Sequence, residues 1–466
     1  MNPTNLELVY LGLLISTSFL LIIAITINAK QLGLLLCFVI LMLNNTAVIT
    51  TFFKEINIPG SPILFLILIL ISTFVLYPLN LSKIPSHLLS KEGLLLLLCL
   101  IFIGVSVVVS IDRIASLKAL LYFSIMFIYG WVIVGKIITK YDEPRNIMIK
   151  FADVFGILSV IFTILTLIIA GPVVHKYQYG GGESLINLFG ITTHRLQARG
   201  LNAPIVGVSS AIAFFWLYAA FQRFSKNFIR KFLLITLLLF SFFALLWSAS
   251  RRAIIAFFAT WVIIAFIDQK GKKMSISKYF RVIIIVAFAI YFFSFHFIGI
   301  LYRGSGTNAI NQSLFSLFLD SRVNIHGEDI SNLLAPTLLG QGYGVVPTID
   351  DGGLILESFF LKMYVELGVI GGIMYLMTFI VLTLSVVKVD RFYAALGERG
   401  ALFPSTIMIF TWMNSISSWG FSLPVGTLAI QLSIVSVAVY IWRKRINTFK
   451  INNENYVKGV SHNGLS

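Results

Sequence analysis

Apolar runs of roughly 20 residues, separated by short polar connectors, repeat along almost the whole chain. A helical run of this length crosses the hydrocarbon core of a bilayer. The runs are continuous Leu, Ile and Phe blocks, which favour helices over the short alternating strands of a membrane barrel. The pattern therefore predicts an all-α polytopic membrane protein with about 12–13 transmembrane helices. The predicted spans are residues 8–28, 32–52, 62–80, 92–109, 119–138, 152–170, 203–222, 228–248, 253–267, 281–300, 368–387, 401–418 and 423–442.

Two of the polar connectors are much longer than the others. They cover residues 171–202 and 301–353. Long loops in a compact domain are usually functional, so these two loops are where we expect a site. Residues 1–442 form a single integral membrane domain on this interpretation, and residues 443–466 form a polar C-terminal tail.

The charge distribution orients the predicted spans. The chain has 58% hydrophobic and 12% charged residues, with a formal net charge of +16. When the connectors are assigned alternately to two faces, the whole +16 falls on one face. By the positive-inside rule this face is the cytoplasm, so the tail is cytoplasmic and both long loops are extracytoplasmic. The basic residues do not form a soluble module, so membrane lipids are expected partners and nucleic acid is not.

The arginines on the opposite face are the exceptions to this charge rule. Arg195 and Arg199 lie in the first long loop, four residues apart, and Arg251 and Arg252 lie in a short hairpin between two apolar spans. Arg322 lies in the second long loop. Adjacent guanidinium groups bind a diphosphate through several charge-assisted hydrogen bonds, which makes these five residues candidates for diphosphate binding. The alternative is that they contact lipid headgroups by snorkelling.

Carboxylates that could act as a general base follow the second loop. Glu357 is flanked by apolar residues, and burial there would favour the proton-accepting role. Asp350 and Asp351 are its rivals, and a helix cap or an ordinary loop acid is the alternative for each of the three. His194 and His326 have no partner at a metal-ligand spacing, so no metal and no other cofactor is expected.

Three stretches, taken in order, resemble the Wzy-type O-antigen polymerases and the related O-antigen ligases of bacterial envelopes. The first leads into Arg199-Gly-Leu-Asn-Ala-Pro204, and the second is Ser248-Ala-Ser-Arg-Arg-Ala253. The third contains Gly340-Gln-Gly-Tyr-Gly344 and continues from Glu357-Ser-Phe-Phe to Glu366-Leu-Gly-Val-Ile-Gly371. The glycines of this third stretch are expected to permit a tight extracytoplasmic turn.

The resemblance implies a C-type glycosyltransferase fold in the bacterial inner membrane, with a periplasmic active site. It further implies donors and acceptors that are linked to undecaprenyl diphosphate. The growing glycan would leave its lipid diphosphate and join a hydroxyl of the incoming lipid-linked repeat unit. A chain-length regulator is a further candidate partner.

Two other functions compete with the polymerase. The related ligases carry His-Asn where this chain has Glu357-Ser358, and this difference favours a polymerase over an O-antigen ligase. A transporter of lipid-linked oligosaccharides would place ionisable groups near the middle of its spans. The middles of these spans are almost free of such groups, which favours chemistry at the outer rim.

Overall fold

Helices account for nearly all of the described structure. The computed structural model describes residues 5–44, 61–76, 91–114, 116–117, 120–121, 124, 144–170, 185–188, 191–194, 196, 203–224, 227–248, 250–269, 338–343, 359–395 and 397–417. The described helices are α1 (Asn5–Thr26), α2 (Lys30–Asn44), α3 (Ser61–Leu76), α4 (Lys91–Val108), α5 (Pro144–Ala170), α6 (Ala203–Phe224), α7 (Phe228–Trp247), α8 (Arg251–Gln269), α9 (Phe359–Ala395) and α10 (Phe403–Ser417).

Helix boundaries follow local signals in the sequence. The side chain of Asn227 caps α7 by accepting a 3.1 Å hydrogen bond from the backbone amide of Ile229. Pro144 opens α5, at a position where its missing N–H costs no intrahelical hydrogen bond. Long apolar sequences then continue each helix, so the predicted spans and the observed helices agree closely for α6 and α7.

Two of the described helices are long and apolar enough to cross a membrane. They are Phe228–Trp247, and Met363–Ala395 within α9. Shorter apolar helices include Leu11–Thr26, Ile67–Leu76, Leu97–Val108, Ala152–Ile168 and Ala253–Ile267. The predicted spans 281–300 and 423–442 and the tail 443–466 lie outside the described residues, as does nearly all of span 119–138.

The first long loop contains a β-hairpin, which the all-α prediction did not include. Strand β1 (Leu185–Leu188) pairs antiparallel with β2 (Ile191–His194), and Leu188 lies opposite Ile191. Each strand is only four residues long, too short for a periodic signal. The residues between the strands, Phe189 and Gly190, are a turn signal that could have indicated the hairpin.

Aromatic side chains from α6, α8 and α10 form the main core. The Phe215 ring stacks on that of Phe257, with centroids 4.9 Å apart, and meets that of Phe410 at 5.8 Å. The Phe214 ring contacts that of Phe257 edge to face at 5.0 Å. Helices α5 and α7 pack against this core through Phe155 and Leu245. Helix α6 therefore lies at the centre of the described bundle.

Helix ends meet in separate groups of polar contacts. In one group the start of α5, the end of α6 and residue 400 come together. The guanidinium of Arg223 donates to both carboxylate oxygens of Asp153, at 2.9 and 3.1 Å, and to the carbonyl of Gly400 at 3.2 Å. In the same region the backbone amide of Ser405 donates a 2.7 Å hydrogen bond to the carboxylate of Asp390. The other groups are the two polar clusters described next.

Candidate functional site

The loop after the hairpin is tied to the turn between α7 and α8. The backbone amide of Leu196 donates a 3.0 Å hydrogen bond to the carbonyl of Trp247, the last residue of α7. The Leu196 side chain is fully buried. Residue 196 directly follows Arg195, and residue 247 lies four positions before Arg251. The contact therefore joins the backbones of two segments that each carry a pair of arginines.

The turn itself is compact and polar. The hydroxyl of Ser248 donates to the Leu245 carbonyl at 2.7 Å and accepts from the backbone amide of Ser250 at 3.3 Å. Gly207 of α6 packs so closely that an added Cβ would lie 2.7 Å from the Cβ of Ser250 and 2.9 Å from the Oγ of Ser248. The start of α6 is thus fixed against the start of α8.

Arg251 and Arg252 are the first two residues of α8, and not part of a separate hairpin as the sequence suggested. A helix N-terminus carries a partial positive charge and unpaired N–H groups, so it favours anions over cations. Two arginines in this first turn are therefore electrostatically unfavourable unless an anion accompanies them. This arrangement is chemically suited to binding a phosphate or diphosphate group.

A second polar cluster joins the glycine-rich turn 340–343 to the end of α4. The backbone amide of Tyr343 donates to the hydroxyl of Ser106 at 3.1 Å, and its carbonyl accepts from Ser116 at 2.8 Å. The hydroxyls of Ser110 and Ser116 are 2.8 Å apart. An added Cβ on Gly342 would lie 2.2 Å from the Oγ of Ser110, so only glycine fits at this position.

The same turn pairs with α9 at a kink. The amides of Gln341 and Gly342 donate to the carbonyls of Val365 and Glu366, at 2.9 and 3.0 Å. The backbone of Gly368 is non-helical there, with φ of 73°, and Gly340 has φ of 74°. The tight turn expected from the glycines is thereby confirmed. It fixes part of the second long loop to the first turns of α9.

Two buried polar residues were missed by the sequence analysis. Glu366 is 1% exposed beside the kink, and Asn414 is 1% exposed within α10. The signal for Glu366 was an acid inside the apolar stretch Tyr364-Val-Glu-Leu-Gly, and Asn414 was a lone amide in an apolar span. Periodicity alone cannot separate such residues from polar positions at a span end.

Most of the predicted site residues lie outside the described part of the chain. These are Arg195, Arg199, Arg322, Asp350, Asp351 and Glu357. For Arg251 and Arg252 the structure describes the backbone, as the start of α8. The neighbouring described residues bring the Arg195 and Arg251 segments together, and Glu357 precedes the first residue of α9 by two positions.

Neither a protein-family model nor a curated protein matches this chain.

Proposed function

We propose that this protein is a multi-pass glycosyltransferase of the bacterial inner membrane that polymerises lipid-linked glycan repeat units. It uses undecaprenyl-diphosphate-linked oligosaccharides as donor and acceptor and works at the periplasmic face, with its C-terminus in the cytoplasm. The hydrogen bond from Leu196 to Trp247 is the observation on which this proposal rests. It supports a common position for two arginine pairs that are about 50 residues apart in the sequence.

The proposed chemistry is a single displacement at the anomeric carbon of the donor glycan. A hydroxyl of the incoming repeat unit attacks that carbon, and the bond from the carbon to the diphosphate oxygen breaks. Undecaprenyl diphosphate leaves with the electron pair, and the hydroxyl proton passes to a carboxylate, Glu357 or its rivals Asp350 and Asp351. Arg195, Arg199, Arg251, Arg252 and Arg322 stabilise the negative charge that develops on the leaving diphosphate.

The helix-end contacts support the orientation assumed here. Arg223 and Gly400, which meet in the structure, lie in connectors that the charge pattern assigns to the cytoplasmic face, and their partner Asp153 lies two residues from a third such connector. The contact of Leu196 with Trp247 joins two segments assigned to the periplasmic face. The turn 340–343 and its partners on α4 and α9 also share the periplasmic assignment. None of these described contacts joins segments from opposite faces.

The described helix surfaces support a lipid environment. Phe228, Phe232 and Leu239 project from α7 into open space, and Phe228 is 81% exposed. Similar apolar side chains are exposed on α1, α3 and α4, for example Phe19, Ile71 and Ile101. Exposed apolar area on this scale marks contact with a membrane or a partner. Lipid contact on several helices is what a polytopic membrane protein requires.

An in vitro assay tests the proposal. The full-length protein is reconstituted in proteoliposomes. Undecaprenyl-diphosphate-linked repeat units are added that have been extracted from cells in which the gene for this protein is deleted. Wild-type protein is expected to produce lipid-linked glycans of increasing length and to release undecaprenyl diphosphate. Arg251→Ala and Arg195→Ala are each expected to lower the turnover number by about 10²-fold, as the loss of one charge-stabilising donor typically does. Arg230→Ala, at the exposed start of α7, serves as the matched control.

Each alternative outcome has a distinct meaning. Glycan transfer only when lipid A-core is supplied would identify a ligase. Movement of the lipid-linked unit across the bilayer without elongation would identify a transporter. Unaltered chain elongation in both arginine variants would contradict the proposed diphosphate site.

A further inference from the structure

Asn414 is a buried amide whose hydrogen-bonding capacity is unused within the described protein. Its side chain lies in α10 and is 1% exposed. Among the described residues, neither Nδ2 nor Oδ1 has a hydrogen-bond partner. Burying an amide without hydrogen bonds is unfavourable, and buried polar groups in folded proteins are almost always paired. An amide kept in this state is therefore a candidate for contact with a bound ligand.

The directions of α6, α8 and α10 show at which end of the bundle Asn414 lies. Helix α6 ends beside residue 400, where Arg223 donates to the Gly400 carbonyl, and α10 begins three residues later. Helix α6 starts beside α8, because Gly207 packs against Ser250. Helix α10 therefore runs antiparallel to both α6 and α8. The end of α10, which contains Asn414, points towards the start of α8.

The aromatic core locates Asn414 more closely along the axes of α8 and α10. Phe257 of α8 and Phe410 of α10 both contact Phe215, so they lie at one level. Asn414 follows Phe410 by four residues, and Ala253 precedes Phe257 by four. One helical turn rises by roughly 5–6 Å. Along the helix axes, Asn414 thus lies at about the level of Ala253. Ala253 is the third residue of α8, which begins with Arg251 and Arg252.

This end of the three helices is also rich in buried hydroxyl groups. The buried serines of α6 and of the turn before α8 are Ser209, Ser210, Ser248 and Ser250. Apolar side chains of the same core, such as Val208, Leu246 and Ala253, lie among these serines. Buried serines therefore lie, among apolar side chains, between the aromatic rings and the start of α8.

The chemistry of an amide indicates which ligand it binds. A phosphate offers acceptors only and would leave Oδ1 without a donor. A sugar offers donor and acceptor groups side by side, either as neighbouring hydroxyls or as an acetamido group, and so can satisfy both Nδ2 and Oδ1. We propose that Asn414 binds a sugar residue of the lipid-linked substrate and contributes to sugar specificity. This proposal deepens the proposed function and rests on it.

Binding measurements with two lipids separate sugar contact from diphosphate contact. The full-length protein, in nanodiscs of phosphatidylethanolamine and phosphatidylglycerol, is titrated with the undecaprenyl-diphosphate-linked repeat unit and with undecaprenyl diphosphate. Asn414→Leu keeps the number and branching of the side-chain heavy atoms and removes both polar atoms. It is expected to weaken binding of the glycosylated lipid by about tenfold and to change binding of the bare lipid by less than about twofold. Thr406→Val, a buried change at the other end of α10, is the matched control.

The Tm of the ligand-free variant distinguishes ligand binding from a structural role. A structural role of Asn414 predicts that Asn414→Leu lowers this Tm. Because the buried amide has no hydrogen-bond partner in the part of the chain that the structure describes, Asn414→Leu is expected to keep or raise the Tm of the ligand-free protein. If that variant does not fold, Asn414→Ala takes its place in the binding measurement. A lower Tm together with weaker binding of both lipids would show a structural role and overturn the proposal.

The remaining outcomes also decide the question. Unchanged binding of the glycosylated lipid by the variant overturns the role of Asn414. A wild-type protein that binds both lipids equally well overturns it too, and leaves the diphosphate site intact. A wild-type protein that binds neither lipid overturns the proposed function itself.

Discussion

The backbone amide of Leu196 donates a 3.0 Å hydrogen bond to the carbonyl of Trp247, and the Leu196 side chain is completely buried at this contact. The contact connects the first long loop to the end of α7, directly before the turn that leads into α8. A hydrogen bond between backbone groups does not depend on the identity of either side chain. The packing of the Leu196 side chain, by contrast, can be tested by substitution.

Leu196→Ala is expected to destabilise the protein by about 2–4 kcal/mol, because a buried leucine leaves a cavity when it is truncated. The same change should lower glycan polymerisation, since it loosens the segment that follows Arg195. Leu233→Ala on α7, where the side chain is exposed, should cost much less. Denaturant or thermal unfolding in detergent measures both variants. Equal stability of the two variants would contradict the contact.

Gly342→Ala tests the glycine-rich turn against a matched glycine. Gly342 has φ of 116° and no room for a Cβ, whereas Gly397 has φ of 88° with nothing within 4 Å of an added Cβ. Gly397→Ala should therefore cost only the backbone strain, about 1–2 kcal/mol. Gly342→Ala should cost a further 1–3 kcal/mol or so, because Ser110 must move. Thermal unfolding of both variants gives the comparison, and similar losses would refute the close packing at Ser110.

The ion pair between Arg223 and Asp153 should matter for stability and not for substrate binding. The Asp153 carboxylate also accepts a 3.0 Å hydrogen bond from the indole of Trp216, and the ion pair is only partly exposed. Arg223→Met leaves a partly buried carboxylate without its cation and is expected to cost about 1–3 kcal/mol. The KM for the lipid-linked unit should stay unchanged, because this pair lies at the opposite end of α6 from the arginine turn. A marked rise in KM would contradict that separation.

A double-mutant cycle with Asp153→Asn isolates the contribution of this pair. A coupling free energy of about 1–2 kcal/mol is expected, because Nη1 of Arg223 donates to both carboxylate oxygens of a partly buried Asp153. Lys231→Met, an exposed change nearby on α7, controls for the loss of one cationic side chain.

Cysteine labelling tests the orientation of the chain. Leu338 is 67% exposed beside the glycine-rich turn, and Lys388 is exposed near the other end of α9. The native Cys37 and Cys99 are both buried and should react little. A membrane-impermeant maleimide should label Leu338→Cys in intact spheroplasts, and Lys388→Cys only after permeabilisation. The reverse pattern would invert the proposed topology.

The amino-acid sequence determined the helices. An α-helix satisfies its backbone hydrogen bonds within one segment, so a continuous apolar run of sufficient length is enough to indicate it. Helices α6 and α7 begin at the predicted residues for this reason, and the glycines at 340 and 342 indicated a tight turn correctly. The two arginine pairs were likewise visible in the sequence, in connectors that the charge pattern assigns to the face without excess cations.

Only the tertiary structure decided which segments meet. The contact of Leu196 with Trp247 and the fit of Gly342 against Ser110 join residues that are far apart in the sequence, and no local pattern encodes such pairings. The burial of Asn414 depends in the same way on how α6, α8 and α10 pack around it. Apolar periodicity indicates that a helix packs against other helices but does not identify them. Many pairs of apolar faces are compatible in composition, and the close packing of particular side chains selects among them.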